Sequence, residues 1–436
     1  MNKPTFKEAL KFWIKLGFIS FGGPAGQISI MHQYLVTKKK WISDRKFLHA
    51  LNYCMLLPGP EAQQLATYIG WLLHGTRGGL AAGILFVLPS VFILLGLSML
   101  YVSFGNIPAI YALFNGLKPA VVAIVILALI RIGKKSLMSP FHYLLSFIAF
   151  ICLFFFNVSF PFIILGAILI AAVSHSFIPG LFKTIDKASG QKEDNESEYY
   201  LNQHTIVAHA GFNLNKVAKQ IGIAVLLWLT PVIAFYFFTA DFDFWKRLVL
   251  FFTQAALVTF GGAYSVLPYV AQVSVEKFHW LSNLEMIDGL ALGETTPGPL
   301  IMVLAFVGFM AGHHQYGSSL PMGALGMITT TFYTFLPCFL FILAGAPIIE
   351  RTRENKIVKE ILSLVTSAVV GVMLNLTLYV AMAVLFPKEL SVSGLDYVQA
   401  GWTLLSFIVL NRFKSFMIPW IGISAVFGLF NYLITS

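Results

Sequence analysis

The sequence predicts an all-α, polytopic integral membrane protein of two homologous helical repeats, which we expect to be inverted relative to each other. Of its 436 residues, 58% are hydrophobic and 11% charged, whereas soluble domains carry about 25% charged residues. One pair of short motifs occurs twice along the chain. In both copies Gly and Pro interrupt long apolar runs, which predicts broken or re-entrant helices at these motifs.

The duplication is defined by a constant spacing. Phe-Gly-Gly at 21–23 returns at 260–262, and Pro-Gly-Pro at 58–60 returns at 297–299, so both motifs shift by 239 positions (260 − 21 and 297 − 58). From Pro89 to Pro337 the shift is 248, so nine residues are gained in between, which we place around 312–321. The predicted organisation is an N-terminal repeat over 1–182, a polar linker over 183–219 and a C-terminal repeat over 220–436 that begins with an extra helix.

The apolar segments give the order of the helices, since a membrane span needs about 20 mainly apolar residues. The candidates in the first half are 10–35, 47–73, 79–103 and 108–130, with a short hairpin at 143–156 and 159–178. Those in the second half are 220–239, 246–273, 285–311, 320–345, 357–386, 397–411 and 415–433. Segment 220–239 has no partner in the first half. A single unpaired span reverses everything that follows it, which is the reason to expect inversion.

Charges between the segments bear on the same question. The loop after the first Phe-Gly-Gly segment is basic and its counterpart acidic, which favours inversion under the positive-inside rule. The basic loop carries Lys38, Lys39, Lys40, Arg45 and Lys46, and the acidic one Glu276, Glu285 and Asp288. Arg131, Lys134 and Lys135 do not fit a simple count. The net charge of +10 lies mostly at the ends of apolar runs, so the bilayer is the predicted partner and nucleic acid is not.

The interrupted helices are the candidate binding site. A half-helix that starts inside the membrane presents free amide groups and a partial positive charge, which suits an anion. Alternatively, the small residues only allow close helix packing. The residues that we predict to bind substrate are Phe21, Gly22, Gly23, Pro24, Gln27, Pro58, Gly59, Pro60, Gln63, Gln64, Lys118, Gly261, Gly262, Tyr264, Ser265, Thr296, Pro297, Gly298 and Pro299.

Three charged residues lie within or beside these apolar segments. Glu61 follows the first Pro-Gly-Pro and Glu294 precedes the second. A carboxylate at mid-bilayer costs about 2.5 to 3.5 kcal/mol, so both are predicted proton carriers, with helix capping as the alternative. Lys118 could hold an oxyanion, pair with Glu61, or extend its ammonium group to the membrane surface. Its repeat partner is Thr366, so this charge is present in one repeat only.

Several function classes have no support in the sequence. No GxxxxGK[ST], HExxH or nucleophile-elbow pattern occurs, so neither ATP-driven pumping nor an enzymatic activity is predicted. Cys54, Cys152 and Cys338 are far apart in apolar segments, and His313 with His314 lacks metal-ligand spacing. We therefore expect no metal and no cofactor. Secondary transport is the class that remains.

At these residues the chain resembles the chromate ion transporter family in its long, two-domain form. The resemblance is carried by 16–24 around the first Phe-Gly-Gly, the basic loop into Trp41, 57–64 around the first Pro-Gly-Pro, 88–90 and 118–122. It is repeated around 260–262 and 296–299 and covers nearly the whole chain. The family's usual His after the first Phe-Gly-Gly-Pro is absent here, where Gln27 lies in the run Ala-Gly-Gln-Ile at 25–28.

This resemblance implies a multi-pass protein of the bacterial inner membrane that exports chromate by proton antiport and so confers chromate resistance. Its partners would be an inorganic oxyanion and protons, and a homodimer is compatible with it. Chromate and sulfate are similar tetrahedral dianions, so a sulfate or other anion transporter or exchanger stays open as an alternative. A passive anion channel is the other alternative.

Overall fold

The computed structural model describes residues 3–105, 107–177, 196–202, 205, 211, 213–349, 356–387, 389, 391–413 and 416–435. Most of the predicted linker over 183–219 lies outside these residues. Within them the chain is helical, and six helices are long and apolar enough to cross a membrane. The predicted all-α, multi-pass fold is confirmed.

The helices fall into two series that follow the same order. The first series is α1 (Phe6–Ile19), α2 (Gly23–His32), α3 (Asp44–Cys54), α4 (Glu61–Phe104), α5 (Pro108–Ser136), α6 (Pro140–Phe154) and α7 (Phe160–Phe177). After α8 (Leu214–Phe238), the second is α9 (Phe242–Val258), α10 (Ala263–Ala271), α11 (Asn283–Thr295), α12 (Val303–Gln315), α13 (Leu320–Ile349), α14 (Lys356–Leu385), α15 (Tyr397–Arg412) and α16 (Met417–Thr435).

The first predicted span, 10–35, is a hairpin broken at its middle. Helix α1 ends at Ile19, and α2 starts at Gly23 and continues into a π-helical turn, Gln33–Lys38. The ring of Tyr34, beyond α2, stacks on Phe12 of α1 at a centroid distance of 4.1 Å, so the chain returns alongside α1. The Phe-Gly-Gly motif is therefore the tip of a re-entrant hairpin, as predicted.

The second hairpin is formed by α3 and the start of α4, with Pro-Gly-Pro at its tip. Helix α4 is itself bent at His74 and Gly75 (φ +66°), which divides it into a short arm, 61–73, and a long arm, 76–104. The arms run antiparallel in close contact, because a β-carbon on Gly79 would lie 3.0 Å from the Thr67 carbonyl oxygen. The long arm is the first helix of the chain that crosses the whole molecule.

The second series repeats these features at the predicted shift. A π-helical turn at Gln33–Lys38 returns at Gln272–Lys277, and the Ser43 cap of α3 returns as the Ser282 cap of α11. Equivalent long helices also pack on each other, α4 on α13 and α5 on α14. The two homologous repeats with broken helices are confirmed.

Two boundaries can be compared with the sequence. Helix α8 starts at Leu214, six residues before the predicted 220, because the Asn213 side chain caps it by accepting from the Asn215 amide. The nine gained residues lengthen α12 to Gln315 and delay α13 to Leu320. The region predicted for the insertion, 312–321, contains this turn.

We name the two ends of the molecule by residues that lie there. The N face contains Phe6 and His74, whose rings are 5.4 Å apart. The far face contains Phe104 and Asn283, at the end of α4 and the start of α11. The described linker segment lies at the N face, where the Ser43 amide donates to the Leu201 carbonyl at 2.8 Å.

The repeats differ in how their hairpins are covered. In the second repeat α10 packs on α14 and α11 packs on α5. Among the described residues their counterparts α2 and α3 make no comparable contact with α5 and α14. The region between the first repeat's hairpins and the helix pair α5 and α14 is consequently the more open one.

Three groups of charges assigned to loops from the sequence lie in helices, the first being Arg45 and Lys46 at the start of α3. Asp288 is not a loop residue, since it lies inside α11 with only 3% of its surface exposed. Arg131, Lys134 and Lys135 lie in the last turns of α5 rather than in a loop. Apolar residues flank Asp288 on both sides, as is typical of a helix that enters the protein interior and not of a loop.

Candidate functional site

Equivalent glycines of the four breaks have positive φ in both repeats. Gly22 and Gly261 have φ of +85° and +77°, and Gly59 and Gly298 have φ of +124° and +108°. These values lie in the region that side chains with a β-carbon avoid, so glycine is required at the tips of all four hairpin breaks. The Gly and Pro residues predicted from the sequence thus end one half-helix and start the next.

The breaks of one repeat are completed by the other. The Gly59 amide donates to the Thr259 carbonyl at 2.7 Å, and the Gly298 amide donates to the Ser20 carbonyl at 2.7 Å. Ser20 and Thr259 are themselves repeat equivalents, each directly before a Phe-Gly-Gly, and both are fully buried. Each Pro-Gly-Pro therefore meets the Phe-Gly-Gly of the opposite repeat.

Helix caps distinguish the two legs of every hairpin. The first legs begin with a side-chain cap, from Thr5, Ser43, Asp241 and Ser282. The second legs, which begin at Gly22, Pro60, Gly262 and Pro299, have no side-chain cap. A helix start leaves up to four amides without an intrahelical partner. Four uncapped positive helix ends therefore lie at the centre, where the breaks meet.

Polar side chains support the breaks unequally. The Gln27 side-chain amide donates to the Gly298 carbonyl at 2.5 Å and to the Ser20 carbonyl at 3.3 Å. Its counterpart in the second repeat is Val266, which has no polar group. Ser90 on α4 donates to the Pro297 carbonyl. Gln27 thus joins the two repeats through their backbones.

The first Pro-Gly-Pro has its own support. The Gln64 side-chain amide donates to the Pro58 carbonyl at 2.7 Å, and that of Gln63 donates to the Thr67 hydroxyl at 3.1 Å. The side-chain oxygens of Gln63 and Gln64 and the Ser20 hydroxyl are buried with no hydrogen-bond partner. Three unpartnered polar atoms therefore lie on residues at or next to the breaks.

The two predicted proton carriers are both near the centre. Glu294 is 6% exposed and accepts a hydrogen bond of 2.6 Å from the Tyr264 hydroxyl. Glu61 lies against the opposite repeat, because a β-carbon on Gly262 would be 3.8 Å from its Oε1. The Lys135 ammonium group on α5 lies 3.6 Å from the sulfur of Met55, three residues before the first Pro-Gly-Pro.

Lys118 forms an ion pair with Asp288 and not with Glu61, the partner considered from the sequence. Its Nζ is 3.5 Å from Oδ1 of Asp288 on α11 and donates to the Asn115 side-chain oxygen at 2.9 Å. The Tyr101 hydroxyl donates to the other Asp288 oxygen at 2.9 Å. The side chains of Lys118 and Asp288 are 7% and 5% exposed, so the ammonium group does not extend to the surface.

The remaining predicted residues lie at or beside the breaks. The Ser265 hydroxyl donates to the Gly262 carbonyl at 2.8 Å, and the Thr296 hydroxyl donates to the Gly293 carbonyl at 3.1 Å. Both hydroxyls therefore serve their own helix ends. The residues of the first Phe-Gly-Gly-Pro, Phe21, Gly22, Gly23 and Pro24, are half-buried, whereas Pro60, Gly262, Pro297 and Pro299 are buried.

Sequence reasoning missed Asp288, Tyr101, Ser20 and Ser90 as site residues. Asp288 had a usable signal, since it is a lone carboxylate in the apolar run from Met286 to Leu292. Ser20 and Ser90 lie in stretches that carry the family resemblance, 16–24 and 88–90, but nothing in the sequence indicates that their partners lie in the other repeat.

A cavity of about 410 Å³ opens elsewhere, at the far face. It lies between the π-helical turn Gln272–Lys277, the tip of α6 and the end of α14, and its polar lining includes Glu276, Asn375 and Tyr379. None of the predicted site residues lines this cavity.

Comparison with known proteins adds the family. A sequence model described as chromate transporter matches residues 7–172 and 246–429, so it matches once in each repeat. The chain is 25% identical to a chromate transport protein of Cupriavidus metallidurans, over 98% of this chain and 94% of that protein. It is 28% identical to a chromate transport protein of Pseudomonas aeruginosa, over 84% and 79%.

An uncharacterized transporter of Methanocaldococcus jannaschii is 26% identical over 88% of this chain and 86% of that protein. No solved structure matches the chain. The members of the matching family are transporters rather than enzymes, in agreement with the sequence prediction. The family match spans both repeats and most of the chain, so this protein belongs to the chromate transporter family.

Proposed function

We propose that this protein carries chromate out of the cell across the bacterial inner membrane and is driven by proton antiport. The observation that carries the proposal is the meeting of four uncapped helix starts at the centre of the two repeats. Each contributes a partial positive charge of about half a unit, without a full charge that would have to be desolvated. A tetrahedral dianion with four acceptor oxygens suits such a set of amide donors.

The substrate ligands in this proposal are the residues at the breaks. The Ser20 hydroxyl is buried without a partner and is an additional donor. Lys118 contributes positive charge on the far-face side. The other ligands proposed are Phe21, Gly22, Gly23, Pro24, Gln27, Pro58, Gly59, Pro60, Gln63, Gln64, Gly261, Gly262, Tyr264, Ser265, Thr296, Pro297, Gly298 and Pro299.

Glu61 and Glu294 are the proposed proton carriers. Glu61 lies beside Gly262 and Glu294 is held by Tyr264, so both carboxylates are next to the second Phe-Gly-Gly. Binding of a proton neutralises the carboxylate, and release of the substrate removes the negative charge of the dianion from the site. Because a proton and a dianion thereby alternate at one site, the arrangement suits exchange of one for the other.

The proposal includes two inverted repeats, over 1–182 and 220–436, joined by the linker over 183–219. The support is the order of helices: the long arm of α4, then α5, α6 and α7 make an even number of passages, and α8 adds one more before the second repeat. The second repeat then starts from the far face. Two inverted copies around a central site are the usual basis of alternating access.

The test is flux in proteoliposomes that contain the purified protein. We expect chromate to accumulate against its gradient when a pH gradient is imposed, and sulfate to compete weakly or not at all. Equilibration without accumulation would identify a passive channel, and preferred accumulation of sulfate would identify a sulfate transporter. Either result would contradict the proposal.

The proton carrier is tested with Glu61→Gln and Glu294→Gln. We expect one of the two to lose pH-driven accumulation and to keep chromate exchange without a pH gradient, because the amide keeps the shape but takes up no proton. Glu285→Gln is the matched control, since Glu285 caps α11 at the far face and lies outside the site. Unchanged accumulation in both test variants would remove these carboxylates from the mechanism.

A further inference from the structure

The buried ion pair between Lys118 and Asp288 is not explained by an anion site alone. It joins the two repeats, since Lys118 is on α5 and Asp288 on α11, and Tyr101 on α4 completes it. Asp288 lies seven residues before the end of α11 at Thr295, which is about 10 Å along a helix. The pair is therefore placed between the central breaks and the far face.

Stability is a poor reason for such a pair. A buried ion pair is often no better than well-packed apolar side chains of similar volume, whereas removing one partner is strongly destabilising. Both side chains here are over nine-tenths buried. An ion pair at this depth is expected where two charges must be able to separate and pair again.

The counterpart positions show that only one face has this pair. The repeat equivalents of Lys118 and Asp288 are Thr366 and His49, and a threonine cannot replace the ammonium group. Helix α11 packs on α5, but α3 has no comparable packing on α14 in the described chain. The ion pair thus coincides with the face at which the repeats are closed together.

We propose that Lys118, Asp288 and Tyr101 form an inter-repeat latch that closes the route from the centre to the far face and separates in each transport cycle. This inference rests on the proposed alternating-access transport. When the latch opens, Lys118 loses its partner at depth, and a divalent oxyanion in the central site supplies the negative charge that Asp288 gave. Asp288 and Tyr101 are positioning residues for Lys118 and need not touch the substrate.

The experiment measures access to the centre from the far face without using chromate. Ala291 lies on α11 one turn deeper than Asp288 and is 1% exposed, so Ala291→Cys places a small reporter behind the latch. Membrane vesicles of both orientations are treated with a membrane-impermeant maleimide. Peptide mass spectrometry gives the labelling rate of each cysteine separately.

We expect slow labelling of the reporter alone and at least about tenfold faster labelling from the far face when Asp288→Asn is added, since the asparagine cannot hold the ammonium group. The charge exchange Lys118→Asp with Asp288→Lys should restore slow labelling. Asp243→Asn, at the exposed start of α9, is the control and should leave the rate unchanged. Thermal unfolding in detergent checks that each variant is folded.

An unchanged reporter rate in an Asp288→Asn variant that keeps the wild-type thermal unfolding transition would overturn the latch. Fast labelling that the charge exchange does not reverse would also overturn it, because the ion pair would then not be the closing contact. Absence of chromate flux in the wild-type protein would contradict the proposed substrate but not change these rates. The two proposals therefore fail separately.

Discussion

The two Phe-Gly-Gly breaks share positive φ at both glycines but differ in their surroundings. In the first repeat a β-carbon on Gly23 would meet no atom within 4 Å. In the second, Gly262 is buried, and a β-carbon on Gly261 would lie 3.4 Å from Thr366 on α14. The difference comes from what covers each hairpin, since α10 packs on α14 and α2 has no comparable cover from α5.

Some features of the hairpins are common to both repeats, and others depend on the conformation of the whole chain. Positive φ at the glycines, side-chain caps on the first legs and reciprocal backbone bonds are shared by both repeats. The packing of α5 and α14 differs between the repeats, because these helices lie against the second repeat's hairpins. In the proposed alternating-access cycle, this state leaves the first repeat's hairpins less covered than the second's, and the other state would exchange the two environments.

The largest effect on chromate flux is expected from a change at a hairpin tip, the feature common to both repeats. Gly298→Ala places a methyl group on the Ser90 hydroxyl at a φ of +108°. Left-handed strain of about 1–2 kcal/mol and overpacking of about 1–3 kcal/mol predict a loss of chromate flux of thirtyfold or more. The measurement is initial flux per amount of monodisperse protein after reconstitution.

The control for Gly298→Ala is Gly166→Ala in α7, where a β-carbon meets nothing within 4 Å and flux should be unchanged. Adding Ser90→Ala to Gly298→Ala should recover part of the loss, because the nearest remaining atom is then 3.1 Å away. More than half of the wild-type flux in Gly298→Ala alone would show that this close approach is dispensable.

An intermediate effect should sharpen the difference in polar support. Gln27→Val, which installs the residue found at the equivalent position, leaves the Ser20 and Gly298 carbonyls without the side-chain donor. Loss of hydrogen bonds to buried acceptors predicts a lower free energy of unfolding by about 1–3 kcal/mol. Thermal unfolding in detergent measures it.

The matched variant is Gln63→Met, which likewise installs the equivalent residue of the second repeat. Gln63 donates only within its own helix, to Thr67, and its side-chain oxygen is buried without a partner. The lost hydrogen bond is therefore offset by removal of an unsatisfied acceptor, and we expect a smaller destabilisation than for Gln27→Val. Equal destabilisation by the two variants would contradict an inter-repeat role for Gln27.

The smallest effect concerns the two faces. Arg131 and Lys135 in the last turns of α5 correspond to Tyr379 and Ala383 of α14, so these two cations are present in one repeat only. Arg131→Tyr with Lys135→Ala should raise the KM for chromate presented at the N face by about two- to fivefold, and less at high salt. The KM at the far face should stay constant. A parallel change at both faces would refute this asymmetry.

The sequence was sufficient for the parts of the fold that depend on local chemistry. The constant shift between motifs predicts two repeats, and Gly with Pro inside apolar runs predicts the breaks, because these residues disrupt helices wherever they occur. The unpaired span before the second repeat is found as α8. The Gly and Pro residues of the candidate site could be predicted because they are the residues that interrupt the helices.

Long-range pairing was beyond such reasoning. Lys118 was recognised as a charge in an apolar span, but its partner Asp288 is 170 positions away (288 − 118) and was assigned to a loop. No periodicity in a single sequence reports which helices of two repeats touch. The unequal covering of the two hairpins is also invisible, since it reflects one conformation of a nearly symmetric chain.

The reciprocal amide bonds have a consequence for biosynthesis. The amide of Gly59 is satisfied by Thr259, and that of Gly298 by Ser20. A nascent chain that has left the ribosome only as far as α7 therefore has an incomplete tip in the membrane, which is costly until some 80 further residues follow. We therefore expect the first repeat to stay in contact with the insertion machinery and to complete its fold only after the second repeat has been synthesised.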